Sequence, residues 1–104
     1  MIVDPSEKSK QDVLDIALYI AQDNQSSAIR FLEYVEKTYV MLSEFPDVGH
    51  TPFFDFVEGL QTISNKGFTS YNVFYRVLDT VIRIDRVSHS SRDLPSLFKL
   101  ENSS

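Results

Sequence analysis

Apolar residues recur every three to four positions through the first half of the chain, which is the spacing of amphipathic helices. Ser6 is a candidate N-cap for the first helix, because a serine oxygen accepts hydrogen bonds from the free N–H groups of a first turn. Residues 24–26 end that helix and cap a second one, which the pattern extends to about Glu44. The side chains predicted to face the core are Val13, Ile16, Ala17, Ile20, Leu32, Val35, Tyr39 and Leu42.

The second half of the chain changes to runs rich in β-branched and aromatic residues, separated by turn residues. The predicted strands are Gly59–Ile63, Phe68–Val77 and Val81–His89, after a short apolar start at Ile2-Val3. Short turns at Asn65-Lys66-Gly67 and Leu78-Asp79-Thr80 make the last three strands an antiparallel meander. The sequence therefore predicts an α+β fold, a helical hairpin packed on a small, mainly antiparallel β-sheet, as one domain over residues 1–104.

The last predicted strand has an internal conflict of register. Ile82 and Ile84 share one parity, whereas Val87 and His89 share the other. Since strand side chains alternate between faces, both pairs reach the core only if an extra residue resets the register. We therefore predict a β-bulge near Asp85-Arg86.

Several apolar helix residues lie outside the predicted core stripe. Leu14 and Leu18 form a second stripe on the first helix, and Phe31 and Tyr34 flank the stripe of the second. One interpretation is simply a wider core face. The other is a docking surface for the amphipathic helix of a partner, because each such side chain gains roughly 1.5–3 kcal/mol when it is buried.

Composition narrows the class of protein. The chain of 104 residues has 42% hydrophobic residues and no cysteine, which excludes disulfides, zinc–thiolate sites and thiol chemistry. Its two histidines, His50 and His89, are too few to form a metal site alone. We expect no metal and no cofactor. No apolar run reaches the roughly 20 residues of a membrane span, and the N-terminus lacks a signal-peptide pattern. A cytoplasmic protein is the expectation.

The net charge of −5 argues against a nucleic-acid binder, but the charges are unevenly distributed. Residues 1–58 hold eleven acids and four bases, a balance of −7, whereas residues 59–104 hold four acids and six bases, a balance of +2. Such asymmetry either indicates two faces with different partners or simply acidic helices beside a mixed sheet. A partner of the helices would carry an excess of Lys or Arg.

The hairpin that ends the sheet is dense in arginine. Arg76, Arg83, Arg86 and Arg92 accompany His89 within the stretch 71–93, and every guanidinium needs solvent or an anion. These side chains either bind a target or pair internally with acids such as Asp85, Asp93 and Glu58. His89 is in addition a candidate general acid or base, since its reference pKa is about 6.5.

Motifs along nearly the whole chain resemble the ParE/RelE toxin superfamily of type II toxin–antitoxin systems, and the ParE branch most closely. The motifs as they stand here are Asp12-x-x-Asp15-Ile16, Tyr19-Ile20-Ala21, Phe45-Pro46-x-x-Gly49-His50, Gly59-Leu60, Phe74-Tyr75-Arg76-Val77 and Arg86-Val87-x-His89-x-x-Arg92-Asp93. The resemblance implies a toxin that is neutralised by the helical segment of a cognate antitoxin. Since Leu14, Leu18, Phe31 and Tyr34 lie outside the predicted core stripe, we expect that segment to bind there. It implies DNA gyrase or a related topoisomerase as the target, with no direct contact to nucleic acid.

Two alternatives stay open: a RelE-like ribosome-dependent mRNA endonuclease, and an inactive member that binds only its antitoxin. RNA cleavage needs an acid, a base and cations for the phosphorane charge. Gln61 and Asn72 stand where relatives frequently have arginine, so His89 would act largely alone. For target binding we expect Arg76, Arg86, His89 and Arg92 to lie together on the open side of the sheet.

Overall fold

The computed structural model describes residues 1–52, 57–65 and 67–90. The elements, in chain order, are β1 (Ile2–Pro5), α1 (Glu7–Ala21), α2 (Gln25–Glu44), β2 (Gln61–Asn65), β3 (Phe68–Leu78) and β4 (Val81–His89). This order of a short strand, two helices and three strands is the predicted one. The helices pack on a four-stranded mixed sheet, so the predicted α+β fold is confirmed.

Both helices begin where side-chain caps were predicted. Ser6 accepts a hydrogen bond from the backbone N–H of Ser9 at 3.0 Å, and Asn24 accepts one from Ser27 at the same distance. Each cap satisfies one of the N–H groups that a helix start leaves without a partner. Within the described ranges, no helix combines the length and the apolar character that crossing a bilayer requires.

The strands lie in the order β1-β4-β3-β2. β2, β3 and β4 form the predicted antiparallel meander, whereas β1 adds to the far edge, parallel to β4, with Ile2 opposite Val81 and Pro5 opposite Ile84. The β3–β4 turn places Asp79 at a φ of 48°, a left-handed conformation that aspartate tolerates better than most residues.

A β-bulge interrupts the β3–β4 ladder at the predicted place. Tyr75 pairs with Ile84, but the preceding Phe74 pairs with Arg86, so that Asp85 is an extra residue in β4. The bulge lets Ile84 and Val87 both enter the core, where they are 0% and 2% exposed. The predicted change of register is confirmed.

The core lies between the helices and one face of the sheet. Among the described residues, one cluster of buried side chains contains Leu42, Val73, Tyr75, Ile82, Ile84 and Val87, and another contains Ala17, Phe31 and Val35. Of the predicted core residues, Val13, Ile16, Ile20 and Tyr39 pack partly buried against these clusters. Leu32 was wrongly predicted as core, since it is 42% exposed, and Phe31 takes its place with 0% exposure.

The Tyr75 hydroxyl ties the segment after α2 to the sheet. It accepts a hydrogen bond from the Gly49 N–H at 2.9 Å, and its proton lies within reach of the Pro46 carbonyl at 2.9 Å and Gln61 Oε1 at 3.0 Å. A Cβ at residue 49 would come within 2.4 Å of this hydroxyl, so only glycine fits there. Burial raises the pKa of Tyr75, which keeps the hydroxyl protonated as these bonds require.

Tyr39 makes stability depend on alkaline pH. Burial, aided by the charge of Asp12, raises the pKa of Tyr39 to about 12 from its ordinary value of 10.0. Between these values the unfolded chain loses the proton while the folded chain keeps it, so the free energy of unfolding should fall as pH rises from 10 to 12.

Urea denaturation at pH 9, 10, 11 and 12 measures this loss, which should reach roughly 2–3 kcal/mol for a shift of two units. The Tyr39→Phe variant should show a flatter profile, with the remaining slope due to other tyrosines. An identical slope in wild type and variant would contradict the assignment to Tyr39.

Candidate functional site

Arg76 lies on the face of the sheet that the helices leave uncovered, because the preceding Tyr75 points into the helix-facing core. Its Nε and Nη2 donate to the two carboxylate oxygens of Asp85 at 2.7 and 2.9 Å. The side-chain hydrogen bond with Asp85 raises the pKa of Arg76, against the lowering effect of burial. The sequence left open whether this guanidinium binds a target or pairs internally. In the structure it forms an internal ion pair.

Arg86 is held by a second bidentate ion pair, which joins the sheet to α1. Its Nε and Nη2 donate to Asp12 at 2.8 and 2.9 Å, and both side chains are only 13% exposed. Asp12 also accepts the backbone N–H of Val87 at 3.0 Å. This N–H lies on the part of the β4 edge beyond β1, whose pairing ends at Ile84. The Asp12 carboxylate thus satisfies one backbone donor on the edge that β1 leaves uncovered.

His89 lies on the opposite face of the sheet from Arg76. It pairs across the strands with Tyr71, and the two rings meet edge to face with centroids 5.0 Å apart. Tyr71 in turn packs on Phe31 of α2, which places both rings on the helix side. The prediction that the basic side chains share the open face is therefore wrong, because the bulge at Asp85 turns His89 toward the helices.

Arg92, the fourth member of that predicted group, lies outside the described residues. Gln61 and Asn72, which the resemblance placed at usually basic positions, make hydrogen-bonding contacts with neighbouring residues. Gln61 reaches the Tyr75 hydroxyl at 3.0 Å, and Asn72 lies 3.5 Å from the Ser64 hydroxyl on the neighbouring strand. Both side chains thus contribute polar contacts within the sheet.

The predicted antitoxin surface divides into exposed and buried members. Leu14 and Leu18 are 51% and 58% exposed, which agrees with their assignment outside the core. Phe31 was wrongly placed on that surface, because it is fully buried against Phe68 and Tyr71. Tyr34 is partly buried and packs over Gly67, where a Cβ would come within 2.7 Å of its ring.

A groove lies between α1 and the part of the β4 edge that β1 leaves uncovered. We call it the α1–β4 groove; its volume is about 510 Å³. Its walls are formed by Asp12, Asp15, Ile16 and Tyr19 of α1 and by Tyr71, Val87, Ser88 and His89 of the sheet. Most of these residues belong to the sequence motifs, but the motifs did not predict a groove. The sequence feature that could have indicated one is the spacing of Asp12, Asp15 and Tyr19, which share one helix face.

The two carboxylates of the groove differ in their hydrogen bonding. Asp12 is saturated by Arg86 and the Val87 N–H, whereas Asp15 accepts a hydrogen bond from the Gln11 carboxamide at 2.7 Å. Burial and the nearby Tyr19 raise the pKa of Tyr71, so its hydroxyl stays protonated. Among the described residues, no three side chains converge as a metal site would require. The groove can bind a cationic or hydrogen-bonding group.

Comparison with known proteins gives a family and a fold. A family model described as the ParE toxin of the type II toxin–antitoxin system parDE matches residues 3–94. No curated protein matches the chain. A solved structure of the chromosomal ParDE toxin–antitoxin system from P. aeruginosa aligns at 18% identity and a TM-score of 0.70, covering 86% of this chain and 95% of that one. The match to the family model includes both walls of the α1–β4 groove.

Proposed function

The chain belongs to the ParE toxin family of type II toxin–antitoxin systems, and on that basis we propose that it inhibits DNA gyrase or a related topoisomerase. In this proposal the protein acts in the cytoplasm by binding its target, and a cognate antitoxin neutralises it. The observation that carries the proposal is the family match over residues 3–94, which covers both helices, β2, β3 and β4, and all of β1 except its first residue.

The ion pairs of the sheet support a binding role over RNA cleavage. Arg76, Arg83 and Arg86, the arginines of the described strands, are each paired with a carboxylate, at 2.7, 2.8 and 2.8 Å. A cation already neutralised in this way stabilises a phosphorane poorly. His89 lies on the other face of the sheet from Arg76, so the two cannot act on one phosphate. This arrangement favours the topoisomerase reading over the endonuclease alternative.

A supercoiling assay with purified gyrase and relaxed plasmid tests the proposal. The chain should block the appearance of supercoiled plasmid, its antitoxin should restore it, and expression in cells should induce a DNA damage response. His89→Ala should leave inhibition intact. Arrest of translation with cleaved mRNA, lost on His89→Ala, would instead establish the endonuclease. Harmless expression with normal supercoiling would establish an inactive, antitoxin-binding member.

We also propose that Leu14 and Leu18 form part of the antitoxin-binding surface. About half of each residue is exposed. A partner helix that covered this apolar surface would therefore gain roughly 1–1.5 kcal/mol of binding free energy at each leucine. The Leu14→Glu/Leu18→Glu variant should therefore bind the antitoxin roughly 100-fold more weakly by isothermal titration calorimetry, because a loss of 1.4 kcal/mol is tenfold. Gyrase inhibition should be unchanged.

A matched control is available at the other end of the hairpin. Val40 and Phe45 are 58% and 61% exposed, so replacing both with glutamate introduces the same charge on an equally exposed apolar pair. This control should bind the antitoxin as wild type does. Equal weakening in both double variants would show a general effect of charge, and no weakening in either would place the antitoxin elsewhere, for example on a strand edge.

A further inference from the structure

The α1–β4 groove is large enough to hold a long side chain. Its volume of about 510 Å³ compares with about 30 Å³ for one water molecule in the liquid. Asp12, Asp15 and Tyr19 follow one another at spacings of three and four along one face of α1. Tyr71 and His89 form the facing wall, where their edge-to-face contact fixes both rings. The opening is therefore a slot between a helix and a strand edge.

The two carboxylates of the groove differ in how much room they leave for a ligand. Asp12 already receives three hydrogen bonds, from Arg86 and from the Val87 N–H. Asp15 is exposed and receives one hydrogen bond, at Oδ1 from Gln11, within the part of the chain that the structure describes. Its second oxygen is therefore available. An anionic ligand would be repelled by this carboxylate, whereas a cation would be attracted.

The aromatic walls favour the same kind of ligand. Tyr19 is 67% exposed although its ring borders the groove, so a large apolar surface there has no cover from the described chain. The faces of tyrosine rings attract cations, and a guanidinium also stacks on them. A planar group can thus contact a ring face while it hydrogen-bonds Asp15 in its plane.

We propose that the α1–β4 groove receives an arginine side chain of the antitoxin, with the guanidinium bound to Asp15 and stacked between Tyr19 and Tyr71. This inference rests on the proposed neutralisation by an antitoxin and names the chemistry of one contact. Arginine fits better than lysine, because its planar fork combines two hydrogen bonds with stacking, whereas an ammonium is a strongly hydrated point charge. The excess of eleven acids over four bases in residues 1–58 attracts such a partner.

A direct test uses N-acetyl-arginine amide as the probe and the isosteric, neutral N-acetyl-citrulline amide as its control. In ¹H–¹⁵N NMR titrations of the full chain, arginine should cause saturable shifts at Asp15, Tyr19, Ser88 and His89, and citrulline should not. Asp15→Asn and Tyr19→Ala should abolish the shifts. Asp23→Asn, which removes an exposed charge from the turn after α1, should keep them. Equal shifts with both probes, or none with arginine, would overturn the proposal.

Charge exchange with the antitoxin tests the contact in the complex. Asp15→Arg should weaken antitoxin binding at least tenfold, and replacing one particular antitoxin arginine with glutamate should restore at least half of that loss in logarithmic terms. Rescue at a lysine, or at no position, would overturn the assignment. Neither readout involves topoisomerase inhibition, so a failure of the gyrase proposal would be seen separately in the supercoiling assay.

Discussion

Replacing Phe31 with alanine should lower the free energy of unfolding by about 3–5 kcal/mol, whereas Leu32→Ala should cost less than about 1 kcal/mol. Phe31 is 0% exposed, and its ring meets Phe68 and Tyr71 edge to face with centroids 5.5 and 5.3 Å apart. Truncation would leave a cavity between α2 and the sheet. Leu32 is 42% exposed, so its removal leaves mostly solvent-facing space.

Urea denaturation followed by circular dichroism measures both losses under one set of conditions. The two substitutions fall on adjacent residues of the same helix turn, and their changes in helix propensity differ by only a few tenths of a kcal/mol. Equal losses, or a larger loss at Leu32, would mean that α2 is rotated by one residue relative to the structure described.

Asp12→Ala should also destabilise the protein by about 3–5 kcal/mol, because it leaves a buried guanidinium without its counter-charge. Asp12 and Arg86 are each 13% exposed, and the same carboxylate accepts the backbone N–H of Val87. The substitution therefore removes a bidentate ion pair and orphans a strand-edge donor in one step.

The ion pair between Asp4 and Arg83 provides the control. These side chains are 50% and 39% exposed and meet at 2.8 Å, so solvent screens their attraction. Asp4→Ala should cost no more than about 1 kcal/mol in the same denaturation experiment. If Asp12→Ala were as mild as Asp4→Ala, the carboxylate could not be the link between α1 and β4.

Local chemistry in the sequence was sufficient for the elements and for the bulge. Ser6 and Asn24 predict helix starts because their side chains can accept hydrogen bonds from N–H groups of the first helical turn. The conflict of parity between Ile84 and Val87 has only one local solution, an extra residue between them. Such features depend only on residues that are close together in the chain, so they can be predicted from the sequence alone.

The choice of core stripe on α2 could not be made in this way. Residues 28, 32, 35, 39 and 42 fit a helical period as well as residues 28, 31, 35, 38 and 42 do, and the rotation of the helix against the sheet selects the second set. That set includes Thr38, whose buried hydroxyl is satisfied by the Tyr34 carbonyl at 2.8 Å. Apolarity alone would never place a threonine there in preference to Tyr39.

The candidate site was harder still, since it depends on partners that are distant in the chain. The ion-pair partner of Arg86 could not be identified from the sequence, because Asp12 lies 74 positions earlier in the chain. The α1–β4 groove exists only because β1 stops pairing at Ile84 and leaves the β4 edge to α1. No pattern within α1 or within β4 predicts that these two elements form a groove, although the family match includes both.

The seam between β1 and β4 has a consequence for the lifetime of the folded chain. Ser6 and Asp85 bond across 79 positions, whereas β3 and β4 are joined by a two-residue turn. Closing the long loop between β1 and β4 costs more entropy than closing the short turn between β3 and β4. We therefore expect the contacts between β1 and β4 to form late in folding. Interactions that form after the rate-limiting step slow unfolding while leaving the folding rate almost unchanged. We therefore expect the contacts between β1 and β4 to prolong the lifetime of the folded chain by slowing its unfolding.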